Sequence, residues 1–158
     1  MATRKLLAVC LGNICRSPTA EAALREAAAA ADLEVEVRSA GTGDWHVGHP
    51  PDSRMQDAAS AAGLPLSGVA AQVSVEALEW ADLVLAMDRQ NLSNLEALAA
   101  SASVTTPIRL FRDFDPRAKP RAEVPDPYHG GPEGFVEVVE MARRTAAALI
   151  RQLASDRY

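Results

Sequence analysis

The feature that most constrains this chain is the segment at residues 6–18. Leu6, Leu7, Ala8, Val9 and Cys10 form an apolar run, Leu11-Gly12-Asn13-Ile14-Cys15-Arg16 follows, and Ser17-Pro18 open an alanine-rich stretch. A short apolar run stopped by turn residues reads as a strand buried on both faces. Ser17 reads as a helix N-cap with Pro18 at the first helical position, and residues 19–31 are strong helix formers. The unit is strand, tight loop, helix.

The alternation continues along the chain. Residues 35–39 read as a strand ended by Gly41 and Gly43, residues 52–62 as a helix closed by Gly63, and Ser74 as the cap of a helix reaching Trp80. Residues 83–87 form a third apolar strand, and Asp88 can cap a helix running to about Leu98. Residues 104–110 are the fourth strand, with Pro107 blurring its limits. Residues 111–134 read as a long loop holding Pro116, Pro120, Pro125, Pro127 and Pro132, a length that in compact domains usually serves function. From Phe135 onward a last helix shows one apolar stripe, from Phe135 through Val139, Ala146 and Ile150 to Leu153. Strands alternating with helices predict an α/β fold: one domain over 1–158, with a four-stranded parallel sheet, helices on both faces and a phosphate-binding loop after strand 1. Ligands of such sheets bind beyond the carboxyl ends of the strands, where Cys10 sits.

Composition narrows the chemistry. A net charge of -5 and the lack of any lysine or arginine run argue against non-specific binding to nucleic acid or to an anionic membrane. Any anion site must be local. The two cysteines, Cys10 and Cys15, make neither a disulfide framework nor a zinc spacing, and a reducing, cytoplasmic compartment fits them best. Arg4 and Lys5 before an apolar run faintly mimic a secretory signal, but the run is too short and Arg16 follows closely. No stretch is long enough to span a membrane.

Each residue of the loop has a physical use. Backbone N–H groups of a tight loop entering a helix form an anion nest. Gly12 permits backbone conformations other residues avoid, and Asn13 tolerates the left-handed region. Arg16 can hold two phosphate oxygens through its planar fork. At the bottom of such a positive cradle a thiolate is favoured, and Ser17 can hydrogen-bond it while capping the helix. Cys10 is thus the candidate nucleophile, with Leu11, Gly12, Asn13, Ile14, Cys15 and Ser17 as the cradle. Cys15 could form a reversible disulfide with Cys10 that protects it from over-oxidation.

Residues 9–18 resemble the signature loop of the low-molecular-weight protein tyrosine phosphatases. The likeness extends to Ser39-Ala40-Gly41-Thr42, to Asp44-Trp45-His46-Val47-Gly48, to Ala86-Met87-Asp88 with Asn91, to Phe114-Asp115-Pro116-Arg117 and to Asp126-Pro127-Tyr128, nearly the whole chain in family order. The resemblance implies a phosphatase acting on phosphotyrosine proteins through a cysteinyl-phosphate, with no metal or organic cofactor, and a monomer. It implies Asp126 as general acid, which the chemistry also asks for, since a tyrosine leaving group needs a proton. Without it Asp126 would be one turn aspartate among others, like Asp113 and Asp115. Trp45 and Tyr128 match aromatic positions lining the family's cleft, where a flat wall stacks on a phenyl ring.

Two departures stand out. His129 replaces a second tyrosine often found there, which removes a family phosphorylation site. The stretch Gly68-Val69-Ala70-Ala71-Gln72 lacks a histidine that helps hold the loop asparagine in many relatives, so Asn13 is expected to depend on Ser39 and Ser17 alone in a softer loop. Cysteines beyond Cys15, which an arsenate reductase on this scaffold needs, are absent. A non-enzymatic phosphoprotein-binding module would usually have lost Cys10, Arg16 or Asp126, and all three are present.

Overall fold

The computed structural model describes residues 3–156; the two residues at each end of the expected 1–158 domain lie outside the described residues. Strands β1 (Arg4–Cys10), β2 (Val35–Gly41), β3 (Leu83–Ala86) and β4 (Ile108–Leu110) form one parallel sheet in the order β2-β1-β3-β4. Side chains of a strand alternate between faces. Leu6, Ala8 and Cys10 therefore join one apolar core, and Leu7 and Val9 the other. The first core is closed by helices α1 (Arg16–Ala30), α2 (Ser53–Ala61) and α5 (Pro132–Ser155), the second by α3 (Val75–Trp80) and α4 (Arg89–Ser101). The chain leaves β1 toward β2 and later crosses back to β3, so Cys10 ends the strand at which the winding reverses. No helix among the described residues is long and apolar enough to cross a membrane.

Local chemistry explains most element limits. Asp52 accepts from the N–H groups of Arg54 and Met55 and starts α2, and Gly63 closes it at φ 75°. Ser74 caps α3, and Asp88 with Asn91 makes a reciprocal capping box for α4. Pro107 has no N–H to pair, and β4 starts only after it. The strand expected over residues 104–110 is shortened to Ile108–Leu110, and two helix starts differ as well. Pro132 takes the first position of α5, three residues before Phe135, because proline suits a site whose N–H would be unpaired anyway. In α1 the cap position is Cys15, with no side-chain cap, and Ser17 and Pro18 lie inside the first turn. The Ser17 hydroxyl is drawn away from capping by the sulfur of Cys10 and the amide of Asn13.

The segment 111–131 is not a free loop. A single 3-10 turn, Phe111–Phe114, opens it. Asp115, read from sequence as a turn residue, is instead buried and receives Arg144 of α5 through two bonds of 2.8 and 3.0 Å, Arg112 at 3.0 Å and the Arg117 N–H at 2.9 Å. Nine residues on, Val124 N–H donates to the carbonyl of Met87, just past β3, and Glu123 accepts from Arg89. The stretch between is pinned at both ends, and its continuation carries Asp126 to the sheet's carboxyl edge.

The Arg144 guanidinium, helped by Arg117 and Arg112 and opposed by burial, holds the Asp115 carboxyl well below the usual carboxylate range. A depressed carboxylate adds stability above its unfolded value, about 3.9, and that stability is lost as pH falls through the folded value. Asp115→Ala is expected to lower unfolding free energy by about 3 kcal/mol at neutral pH, because two arginines lose a buried partner. The difference from wild type, measured by denaturant unfolding, should shrink steadily below about pH 4; a difference independent of pH would remove the charge from the explanation.

Candidate active site

Gly41 lets β2 meet the loop that follows β1. A β-carbon there would lie 2.8 Å from the Leu11 carbonyl oxygen and 3.1 Å from Asn13 N. The loop folds over its own sulfur: Asn13 N–H donates to Cys10 Sγ at 3.2 Å, and the Ser17 hydroxyl lies 3.0 Å from the same atom. Asn13 Nδ2 donates to Ser17 Oγ at 2.7 Å. With its oxygen accepting there, Ser17 can turn its hydrogen to the sulfur; the competing Ala40 carbonyl is farther, at 3.4 Å.

Asn13 occupies the expected left-handed conformation, at φ 57°. Gly12 does not need it, since only Asn13 in this loop has a positive φ. The space around Gly12 is the constraint instead, since a β-carbon would stand 3.0 Å from the His46 ring. Buried Asn13 also donates to Ser39 Oγ at 3.0 Å, and Ser39 is held in turn by Glu21. Dependence on Ser39 and Ser17 alone is not what the structure shows. The Ala71 N–H donates to Asn13 Oδ1 at 3.0 Å, so the segment without a histidine still braces the loop, through its backbone.

Arg16 is 3% exposed, and its Nη1 donates to Asp88 Oδ2 at 2.7 Å and to the Val124 carbonyl at 3.1 Å. Its Nη2 lies 3.7 Å from Asp126 Oδ2. Burial works against this charge, but Cys10 and Asp88 outweigh it and hold the guanidinium above its ordinary value. Asp88 was legible only as a helix cap; β1 and β3 being neighbours places it beside Arg16. Asp126 is partly exposed and accepts from the N–H of Tyr128 at 3.1 Å, a local turn that aims the carboxylate at the cleft.

A cleft of about 260 Å³ has Cys10, Leu11, Gly12, Ile14, Cys15 and Arg16 as its floor and Trp45, His46, Asp126, Tyr128 and His129 as its walls. The sequence candidates thus converge: Asn13, Ser17 and Ser39 lie beneath as supports, and Trp45, 65% exposed, stands at the rim rather than over a core edge. His46 was not singled out in the sequence, and only its place between Trp45 and Val47 hinted at it. Burial, reinforced by Asp52, pushes the Cys15 thiol up to about 12, so it stays protonated at neutral pH.

Comparison with known proteins decides the family. The profile of low molecular weight phosphotyrosine protein phosphatases matches residues 5–158. The chain belongs to that family. A low molecular weight protein-tyrosine-phosphatase of Streptomyces coelicolor is 40% identical over 151 residues, covering 94% of this chain and 92% of the relative. The low molecular weight protein-tyrosine phosphatase A of Mycobacterium tuberculosis is 44% identical over 133 residues, covering 82% and 79%. Among solved structures, a protein tyrosine phosphatase from Entamoeba histolytica superposes with TM-score 0.91 at 34% identity, over 99% of this chain and 100% of its own. A Drosophila arginine phosphatase superposes with TM-score 0.89 at 31% identity, over 96% and 99%.

If Asn13 organises the phosphatase loop through its amide, Asn13→Gly and Asn13→Ala should both lose about tenfold or more in kcat/KM on an aryl phosphate. Asn13→Ala should also unfold more easily, by about 1 kcal/mol, because alanine takes the left-handed conformation with more strain than asparagine or glycine. A fully active Asn13→Gly would assign the whole role to the backbone.

Proposed function

We propose that the protein is a protein tyrosine phosphatase working by two-step covalent catalysis. The observation that carries the reading is the convergence of Cys10 Sγ, the Arg16 guanidinium and the Asp126 carboxylate on one cleft. The phosphate dianion sits in the nest of loop N–H groups, with Arg16 Nη2 on its oxygens. The Cys10 thiolate attacks phosphorus in line as the bond to the tyrosine oxygen breaks, and Asp126 gives its proton to that oxygen. Water then attacks the cysteinyl-phosphate with Asp126 as base, the S–P bond breaks, and thiolate and inorganic phosphate are released. The nest stabilises the equatorial oxygens throughout.

Trp45 and Tyr128 favour an aryl group in the mouth of the cleft. Relatives named as arginine phosphatases share the scaffold, so phosphoarginine is the comparison substrate. Phosphotyrosine proteins are the partners this reading supplies, and the protein acts on them in the cytoplasm.

Hydrolysis of phenyl phosphate, p-nitrophenyl phosphate and a phosphoarginine peptide tests the reading. Wild type should turn over the aryl esters best, and Cys10→Ser should be inactive. Asp126→Ala should lose roughly a hundred- to ten-thousand-fold in kcat/KM on phenyl phosphate, and less on p-nitrophenyl phosphate, whose leaving group needs the proton less. Preference for phosphoarginine would reassign the substrate; equal losses on both esters would remove Asp126 as the acid.

The same cleft supports redox protection. Peroxide converts the Cys10 thiolate to a sulfenic acid; Cys15, which lines the same cleft, gives up its proton and attacks that sulfur, and water leaves as the disulfide forms. Mass spectrometry after mild peroxide should show loss of two hydrogens in wild type, reversed by a thiol, and sulfinic acid at Cys10 in Cys15→Ser. Sulfinic acid in wild type with no disulfide would overturn it.

A further inference from the structure

Exposed large apolar side chains are scattered singly on most surfaces; a contiguous set marks a contact site. Among the described residues they are Leu11, Trp45, Val47, Val69, Tyr128 and Val136. Leu11, Trp45 and Tyr128 line the cleft itself. Val47 follows Trp45 in the same loop, and that loop is stitched to the Val69 segment by Gly48 N–H to Ala70 O at 2.9 Å and Ala70 N–H to His49 O at 2.8 Å. On the other side, the Arg54 guanidinium lies 5.2 Å from the Tyr128 ring and 4.8 Å from the Phe135 ring. Beyond Arg54 a groove of about 410 Å³ continues past Ala58, Pro132, Phe135 and Val136.

We infer that this collar is a docking surface for the polypeptide that carries the phosphotyrosine, and that it selects apolar residues flanking it. The inference rests on the phosphatase reading above and adds the sequence class of the substrate. Continuity with the cleft names the occupant: a phosphotyrosine whose phosphate reaches Cys10 must leave its own chain across Trp45 and Tyr128, onto Val47 and Val69 on one side or the Arg54–Val136 groove on the other. Charge argues for apolar rather than acidic flanks. Arg16 is committed to Asp88, Arg54 is clamped by both oxygens of Asp52 at 3.1 and 3.0 Å, and Asp57 also lines the groove. The mouth thus offers exposed apolar area that a bound chain would take out of water, a favourable step roughly proportional to that area, and little unpaired positive charge.

The test compares two phosphotyrosine peptides, one with leucine and valine flanks and one with glutamate flanks, against p-nitrophenyl phosphate, using wild type, Val47→Glu and Val136→Glu. Wild type should prefer the apolar peptide by about tenfold in kcat/KM. At least one of the two variants should lose that preference, through KM, with p-nitrophenyl phosphate turnover and Tm unchanged. Equal rates on the two peptides, or a preference that survives both variants, would overturn the inference while leaving the phosphatase reading intact. No turnover of p-nitrophenyl phosphate by wild type would instead sink that reading and this inference with it. Size-exclusion chromatography across protein concentration supplies the remaining outcome: a dimer abolished by Val136→Glu, with activity falling as it forms, would make a second copy the occupant and overturn the peptide assignment.

Discussion

A guanidinium buried as completely as that of Arg16 must find anions and carbonyls close by, or the fold around it fails. This requirement organises the carboxyl edge of the sheet. Asp88 comes from the turn after β3, Val124 and Asp126 from the segment before α5, and both meet an arginine that begins α1. Three remote parts of the chain are thereby drawn to one charge. Asp115 does the matching work from outside, fixing the same segment to α5 through Arg144 and to its own start through Arg112. The loop that holds the proposed acid is long in sequence but short in free length.

The phosphate loop depends on a second arrangement, in which an amide does what no charged group could. Asn13 both donates and accepts, and its partners lie on the α1 start, on β2 and on the segment before α3. A cation there would compete with Arg16 for the incoming dianion, and an apolar residue would leave the Ala71 N–H unpaired. The left-handed turn at Asn13 also points its own N–H at sulfur. One residue sets the loop's backbone and its hydrogen bonds together.

What could be read in the sequence follows from the range of each interaction. The Cys10 to Arg16 spacing is local chemistry, and strand, loop and helix declare it directly. Caps at Ser74 and Asp88 were legible for the same reason. Ser17 was misplaced as a cap because its competing partners, a sulfur and an amide, meet it only once the loop has closed. The start of α5 was set late because a proline after glycines reads equally as loop and as first helical residue. Asp126 stood out only through family resemblance; its position depends on Asp115 and Glu123 docking, which no spacing reveals. The Ala71 contact is a backbone N–H and has no sequence signature, so a missing histidine looked like a missing support.

The two carboxylates on Arg16 are unequal, and the inequality suits the proposed reaction. Asp88 is close at 2.7 Å and mostly buried, while Asp126 is at 3.7 Å and partly in water. An arriving phosphate dianion carries more charge than Asp126 and can take Nη2 from it without disturbing Nη1, which stays on Asp88 and Val124. Arg16 therefore keeps its orientation through the exchange. A carboxylate held as tightly as Asp88 could not give way to the phosphate, which is a physical reason for placing Asp126 on an exposed turn and anchoring that turn elsewhere.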